Sequence, residues 1–381
     1  MKIGIVLDES FDGTDGIQQY MHTVGRWLTE HGHTVYYLVG STRRTDIDGV
    51  YSLSRNMRVK FNGNWLSMPL PTSSRKLRTL LRTLELDILH IQTPYSPFLA
   101  GKLIRFAADA TAVVGTFHIL PFGRMARLGS DILGKINTKT AQRFDAMMAV
   151  SPPAQVFAGK HYGFSSVVVP NPFVHDIFSV ARRGKLVAHS RKRIVFLGRL
   201  VPRKGARSLL KAVSEMNRYA TKKLPMEVII AGKGSQLPRL QRYVRDHELT
   251  DIVSFPGYVS EQEKPRLLAS ADILVFPSSA GESFGISLLE GMAASRGVVL
   301  AGNNPGYASV VADERQLIDP KDVSDFARKL VYWLENDSER LNMARIQHIQ
   351  AQLYDIDKIG PRIERVYKQA LNKRRNIFSR V

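Results

Sequence analysis

The sequence predicts an α/β protein built from two doubly wound halves. Three observations carry this. Short apolar runs without polar alternation recur along the chain, as strands buried on both faces of a parallel sheet require. Segments with helical periodicity separate most of them. The series runs twice, interrupted by the polar, basic stretch "SVARRGKLVAHSRKR".

The first series opens with "KIGIVL", followed by an amphipathic stretch from Ile17 to His31 that Gly32 closes as a C-terminal cap. "TVYYLV", "LDILHI", "TAVVGTF" and "DAMMAV" are read as further strands, and "VVVPNPF" ends the series. The second comprises "RIVFLG", "MEVIIAG", "IVSFPG", "DILVFP" and "GVVLAG", and a helical stretch runs from Ile359 to the end. The predicted organisation is a first domain over 1–175, a linker over 176–192, a second domain over 193–358 and a terminal helix over 359–381, the two domains facing across a cleft.

With 381 residues, 44% hydrophobic and 23% charged, the chain can bury two cores. The absence of cysteine excludes disulfides, thiolate zinc sites and cysteine nucleophiles, and fits a reducing compartment. No segment approaches the roughly 18 apolar residues of a membrane span. The start, "MKIGIVLDES", has too short an apolar core for a signal peptide, so a cytosolic location is expected. The net charge of +20 implies an anionic partner: nucleic acid, anionic lipid or a phosphorylated substrate.

In open parallel sheets, ligands sit beyond the carboxyl ends of the strands. The loop "DESFDGTDGIQQY" places Gly16 just before a helix, either as a turn or where an anion approaches free N–H groups. In "GTFHILP", His118 ends a strand, as a core group or as a hydrogen-bonding group at the cleft. Ser151 and Asn171 are read as turn formers. In "FLGRLVPRKGARSLL", Arg199 and Lys204 flank a turn before a helix, a diphosphate-sized anion site. "VIIAGKGSQLPRL" sets Gly232 and Gly234 around Lys233, able to pack under a nucleoside or merely to turn the chain.

The stretch "AGESFGISLLEGMAA" is richer. Phe284, Gly285 and Ile286 are expected to form a first helical turn whose amides meet a phosphate or sugar oxygen. Glu282 would accept hydrogen bonds from sugar hydroxyls. Glu290, about 12 Å further along the axis if the intervening residues are helical, would hold the two hydroxyls of a ribose. The alternative is a helix cap plus an exposed glutamate. No DxD pair stands at a strand end and no His cluster has metal spacing, so no metal is expected.

"GESFGISLLEGMAA", "GRLVPRKG" and "FPGYVSEQEKPRLLASADILVFPS" together resemble the retaining GT-B glycosyltransferases of family four, whose signature of two glutamates separated by seven residues falls on Glu282 and Glu290. The resemblance runs to about residue 350. Through "GIQQ", "LDILHIQTPYSP", "GTFHI" and "GESFGI" the chain is similar to the phosphatidylinositol mannosyltransferases. It implies two Rossmann-like domains and a final helix crossing back onto the first. It also implies a nucleotide-sugar donor, best read as GDP-mannose, with Arg199 and Lys204 on the diphosphate and Glu290 on the ribose. Glu282 and Phe284 to Ile286 would meet the sugar and β-phosphate. Gly16 would approach the phosphate, and His118 would sit beside the sugar and the acceptor hydroxyl. No cofactor or metal is implied. Two departures stand out: Gly16 follows Asp15 where a second glycine is usual, and Ser295 and Gly297 replace an expected glycine and proline.

Two basic amphipathic segments fall in the first domain. "SSRKLRTLLRTLE" carries Arg75, Lys76, Arg78 and Arg82. "GRMARLGSDILGKINTKTAQR" carries Arg124, Arg127, Lys135 and Lys139 beside Met125, Leu128, Ile132 and Leu133. Either they are surface helices that bury one face, or they bind an anionic membrane at the inner face of the cell membrane, each cation adding about 1 kcal/mol. "NKRRNIFSR" could add to this. The expected partners are a nucleotide sugar, a lipid acceptor and that surface. UDP-glucose with a diacylglycerol or polysaccharide-precursor acceptor is the alternative chemistry. A non-catalytic nucleic-acid or anionic-lipid binder is the alternative class. No aromatic-basic interleaving supports nucleic acid.

Overall fold

The computed structural model describes residues 1–13, 15–61, 64–184, 190–221 and 225–378, and for 58–61, 64–67, 217 and 378 the backbone alone. The chain divides into two compact units, residues 1–172 with 356–381, and residues 173–355.

The first unit runs β1 (Lys2–Ser10), α1 (Gly16–Glu30), β2 (Thr34–Ser41), β3 (Val50–Ser52), β4 (Asn56–Phe61), β5 (Asn64–Pro69) and α2 (Ser74–Leu84). It continues with β6 (Ile88–Ile91), α3 (Leu99–Phe106), β7 (Ala112–Phe117), α4 (Arg124–Ile136), α5 (Thr138–Ala141), β8 (Ala146–Ala149), α6 (Pro152–Tyr162) and β9 (Val167–Val168). Seven strands form a parallel sheet in the order β3-β2-β1-β6-β7-β8-β9, while β4 and β5 make a separate antiparallel ribbon. Sequence reading missed that ribbon, whose polar alternation does not resemble a buried parallel strand. The order reverses between β1 and β6.

The second unit runs α7 (His175–Arg183), β10 (Lys192–Leu197), α8 (Ala206–Glu215), β11 (Met226–Ala231), α9 (Leu237–Asp246), β12 (Val253–Gly257), α10 (Lys264–Ala269) and β13 (Ile273–Phe276). Then come α11 (Ile286–Ala294), β14 (Val298–Gly302), α12 (Pro305–Ala308), β15 (Leu317–Ile318), α13 (Val323–Glu335) and α14 (Asp337–Gln352). Its six parallel strands are ordered β12-β11-β10-β13-β14-β15, reversing between β10 and β13. Ile194, Phe196, Val228, Ile230 and Val275 in the strands pack with Leu209, Leu210, Phe326 and Leu330 in the helices.

The segment expected as a linker, 176–192, opens differently. Its start lies in α7, which buries His175, Phe178 and Ser179 and packs on α10 and α11 within the second unit. Residues 185–189 of that segment lie outside the described residues, as does Thr14 in the first loop. The final helix, α15 (Ile356–Phe378), belongs to the first unit. Trp27 donates to Asp357 at 3.1 Å, the Tyr367 hydroxyl meets His90 Nδ1 at 2.8 Å, and Arg374 pairs with buried Asp145 at 3.0 Å.

Candidate active site

In the second unit, loops leaving neighbouring strands β10 and β13 head to opposite sides of the sheet, and the crevice between such loops is where a ligand fits. Gly205, at φ +78°, lies so close to Pro277 that a Cβ would come within 2.0 Å of its carbonyl oxygen, so only glycine allows this approach. Two hydrogen bonds to the Arg203 carbonyl, from Ser279 N at 3.0 Å and Ser278 Oγ at 3.1 Å, join the loops.

At that seam the Glu282 carboxylate accepts from Ser278 Oγ at 2.7 Å and pairs with Lys204 at 2.8 Å and Arg203 at 2.5 Å. Burial, the largest influence on Glu282, would raise its pKa. Lys204, Arg203 and the hydrogen bonds outweigh it, and the pKa lies below the usual value. For Lys204, burial lowers the pKa; Glu282 opposes this, while the positive charges of Arg203 and Arg199 add to it. Arg203 and Lys204 therefore share one carboxylate, and a further anion is electrostatically favoured there. Arg203 is a member that sequence reading passed over. Its signal was present in "PRKG", but adjacency to Lys204 gave no reason to select both.

Glu290 is not the exposed glutamate of the alternative reading. It is buried in α11, 2.8 Å from Lys264, which also pairs with Glu261 at 2.5 Å. Burial raises the pKa of Glu290 despite Lys264. Burial would lower that of Lys264, but Glu290 and Glu261 outweigh it and the net shift is upward. Lys264, at the start of α10, was also missed, because nothing in "EQEKPRLL" marks a lysine as buried.

The helical turn expected from Phe284 to Ile286 begins only at Ile286, so the axial spacing drawn from Glu282 to Glu290 does not apply. Gly285 precedes the helix at φ +127°, where a Cβ would meet the Tyr307 ring at 2.7 Å. Phe284 is buried, edge-on to Tyr354. The amides of Ile286 and Ser287, first in α11, have no acceptor within the helix and remain suited to an oxygen ligand. Gly232 has a structural reason of its own: a Cβ there would lie 1.9 Å from the Gly198 carbonyl oxygen. Ser295 is fully buried, and its Oγ accepts from Gly297 N at 3.0 Å, which closes α11 without the expected glycine and proline.

In the first unit, Gly16 is the exposed first residue of α1, after β1. His118 follows β7 and is buried, its Nε2 2.7 Å from Gln92 Oε1 and its ring edge-on to Tyr20. Burial pushes its pKa down to about 3, so it is neutral at ordinary pH. Around the reversal of the sheet order, three buried polar atoms have no hydrogen-bond partner among the described residues: Gln18 Oε1, Gln92 Nε2 and Thr93 Oγ1. Such atoms are costly unless a polar ligand meets them. Ser151 caps α6, as a turn former would. Asn171 instead is buried, with Oδ1 unpartnered among the described residues.

The two basic segments differ. In α2, Leu77, Leu81 and Leu84 are buried, while Arg75, Lys76, Arg78 and Arg82 are exposed. In α4, Arg124 and Arg127 are exposed, but the buried residues are Ala126 and Ser130 rather than the large apolar ones. Among the described residues, no helix is long and apolar enough to cross a membrane and no group of three His, Asp or Glu could hold a metal.

Residues 14–176 match the family model for Glycosyltransferase Family 4, and residues 179–348 match Glycosyl transferases group 1. The two matches account for most of both units, and the chain belongs to these glycosyltransferases. Its relatives include the phosphatidyl-myo-inositol mannosyltransferase of Mycolicibacterium smegmatis, 28% identical, with 97% of this chain and 94% of the relative covered. The enzyme of the same name from Mycobacterium tuberculosis strain H37Rv is 28% identical, with 97% of each chain covered. Among solved structures, a glycosyltransferase from Rickettsia africae superposes with a TM-score of 0.75 at 17% identity, covering 97% of this chain and 98% of its own. The fold is GT-B.

Proposed function

We propose that this glycosyltransferase moves mannose from GDP-mannose to an inositol phospholipid, with retention of anomeric configuration and without a metal. The observation that carries the reading is the relationship, across 97% of this chain, to enzymes named phosphatidyl-myo-inositol mannosyltransferase. The basic first unit and the cation cluster of the second support it. Arg199, Arg203 and Lys204 hold the donor diphosphate, with the first amides of α11 adding N–H groups to the β-phosphate or sugar. Glu282 accepts from sugar hydroxyls, and Glu290 with Lys264 lines the ribose.

In the reaction, the bond from sugar C1 to the β-phosphate oxygen breaks. A bond from C1 to the acceptor oxygen forms on the same face, and the acceptor's proton passes to the leaving phosphate. The three cations stabilise the charge developing on the departing nucleoside diphosphate. His118 is a neutral hydrogen-bonding group for the acceptor, and Gln18, Gln92 and Thr93 supply polar atoms suited to a hydroxyl-rich headgroup. The enzyme acts from a membrane surface, at the cytoplasmic face.

The test is nucleotide release from a panel of nucleotide sugars, without metal, with and without phosphatidylinositol vesicles. Lipid-dependent release of GDP from GDP-mannose is expected. Turnover of UDP-glucose instead would replace the donor and keep the mechanism. Salt-sensitive binding to nucleic acid with no turnover of any donor would overturn the reading.

A further inference from the structure

Helix α4 is packed with its apolar face outward. Successive residues turn by about 100° in an α-helix, so Met125, Leu128, Ile132 and Ile136 fall within an arc of roughly 80°. Their relative exposures are 81%, 55%, 52% and 62%, and Phe122 just ahead of the helix is 61% exposed. The opposite arc carries Ala126, Ser130 and Gly134, and that small-residue face is the one turned inward on α6. The contact is close, since a Cβ at Gly134 would lie 2.2 Å from the His161 carbonyl oxygen. Asp131, the helix's acid, is 2.6 Å from His161, and Asn137 donates to the Tyr95 carbonyl at 2.7 Å. These contacts fix the rotation of the helix, so the stripe stays outward.

An ordinary surface helix does the reverse, as α2 does with its three buried leucines. Exposed basic side chains line one edge of the outward stripe, Arg124 on the first turn and Lys135 on the last, with Arg127 further round the helix and Lys139 just beyond its end. Cations bordering a continuous apolar stripe match the boundary between anionic headgroups and acyl chains, where charge attracts and the apolar face inserts. A protein partner would satisfy the stripe but not call for this border of positive charge.

We infer that α4 is an interfacial helix, which inserts Phe122, Met125, Leu128, Ile132 and Ile136 into an anionic bilayer while α2 contributes charge alone. The inference rests on the reading that the acceptor is a membrane lipid. It adds a consequence for catalysis: Phe122 stands four residues after His118, so a lipid headgroup would be presented within one short loop of the buried imidazole.

The experiment is sedimentation of the full chain with vesicles of phosphatidylglycerol and phosphatidylcholine. The variants are Leu128→Gln/Ile132→Gln, which keeps all charge, and Arg75→Gln/Arg78→Gln on α2. The α4 pair is expected to lower partitioning at least about tenfold even at high salt, because buried apolar area is lost. The α2 pair should weaken binding at low salt only. Unchanged partitioning of the α4 pair would overturn the inference. So would a wild-type dimer indifferent to vesicles that the α4 pair turns into monomers, since the face would then join copies of this chain. Folding is controlled by nucleoside diphosphate affinity, which should be unaltered. Vesicle binding through α4 without sugar transfer to any lipid would remove the proposed reaction and leave this surface standing. Transfer that depends on phosphatidylinositol but not on α4 would do the opposite.

Discussion

Lys204 Nζ and Glu282 Oε1 lie 2.8 Å apart, tying the loop after β10 to the loop after β13 across the reversal of strand order. The pair sits where an open parallel sheet receives its ligand, and Arg203 makes it a triad. In this arrangement the carboxylate offsets part of the positive charge at the seam.

Glu282→Gln removes that carboxylate while keeping its shape. The expected result is a loss of sugar transfer of at least about a hundredfold, if the group serves the sugar in the transition state as proposed. Nucleoside diphosphate affinity should be unchanged or tighter, because Arg203 and Lys204 lose their counter-charge. Single-turnover kinetics and calorimetry separate the two quantities, and normal turnover would take Glu282 out of the sugar site.

Arg199→Ala should act on binding itself. Loss of a charge-assisted contact to phosphate is worth about 1.5–3 kcal/mol, a ten- to hundredfold weakening of nucleoside diphosphate affinity. Titration of the variant with GDP is the measurement, and unaltered affinity would sink the diphosphate assignment.

Lys264→Met tests the buried pair with Glu290. Removing one partner of such a pair leaves the other charge uncompensated and should cost about 3 kcal/mol at neutral pH. Glu290 already has a folded-state pKa above its ordinary 4.5, so the folded chain binds the proton more readily than the unfolded one. Its contribution therefore favours folding at low pH and is lost as pH rises through the folded value. Without Lys264 the dependence should steepen. Urea unfolding at pH 5 and pH 8 should show the variant closer to wild type at the lower pH.

Two buried histidines should make the first unit acid-labile. Burial holds His90 and His118 down to about 3, so between about 6.5 and 3 the unfolded chain binds more protons than the folded one. Stability from each is fully present above pH 6.5 and is lost as pH falls, by about 2 kcal/mol per histidine at pH 5. Asp8, pushed up to about 6 by burial, works the other way over part of that window, and two imidazoles outweigh one carboxyl. His118→Asn should reduce the difference in unfolding midpoint between pH 7 and pH 5, and an unchanged difference would contradict a neutral His118.

Much of this was legible in the sequence. Parallel strands announce themselves as unbroken apolar runs, and residues at their carboxyl ends follow from the sheet's geometry, as with Arg199, Lys204 and Glu282. The polar β4–β5 ribbon carries no such run. Burial of a charged side chain was also hidden, since Lys264 and Glu290 lie far apart in the chain and meet only when α10 packs on α11. The outward face of α4 was invisible for a related reason. Its periodicity is that of any amphipathic helix, and only packing shows that Ala126, Ser130 and Gly134 took the inner side.

The proposed reaction is tested by mass spectrometry of the lipids after incubating the protein with GDP-mannose and phosphatidylinositol vesicles in the presence of a chelator. The expected product is phosphatidylinositol bearing one added hexose, in the anomeric configuration of the donor, with no product from Glu282→Gln. An inverted product, or no glycolipid while another donor and acceptor are consumed, would contradict that reaction.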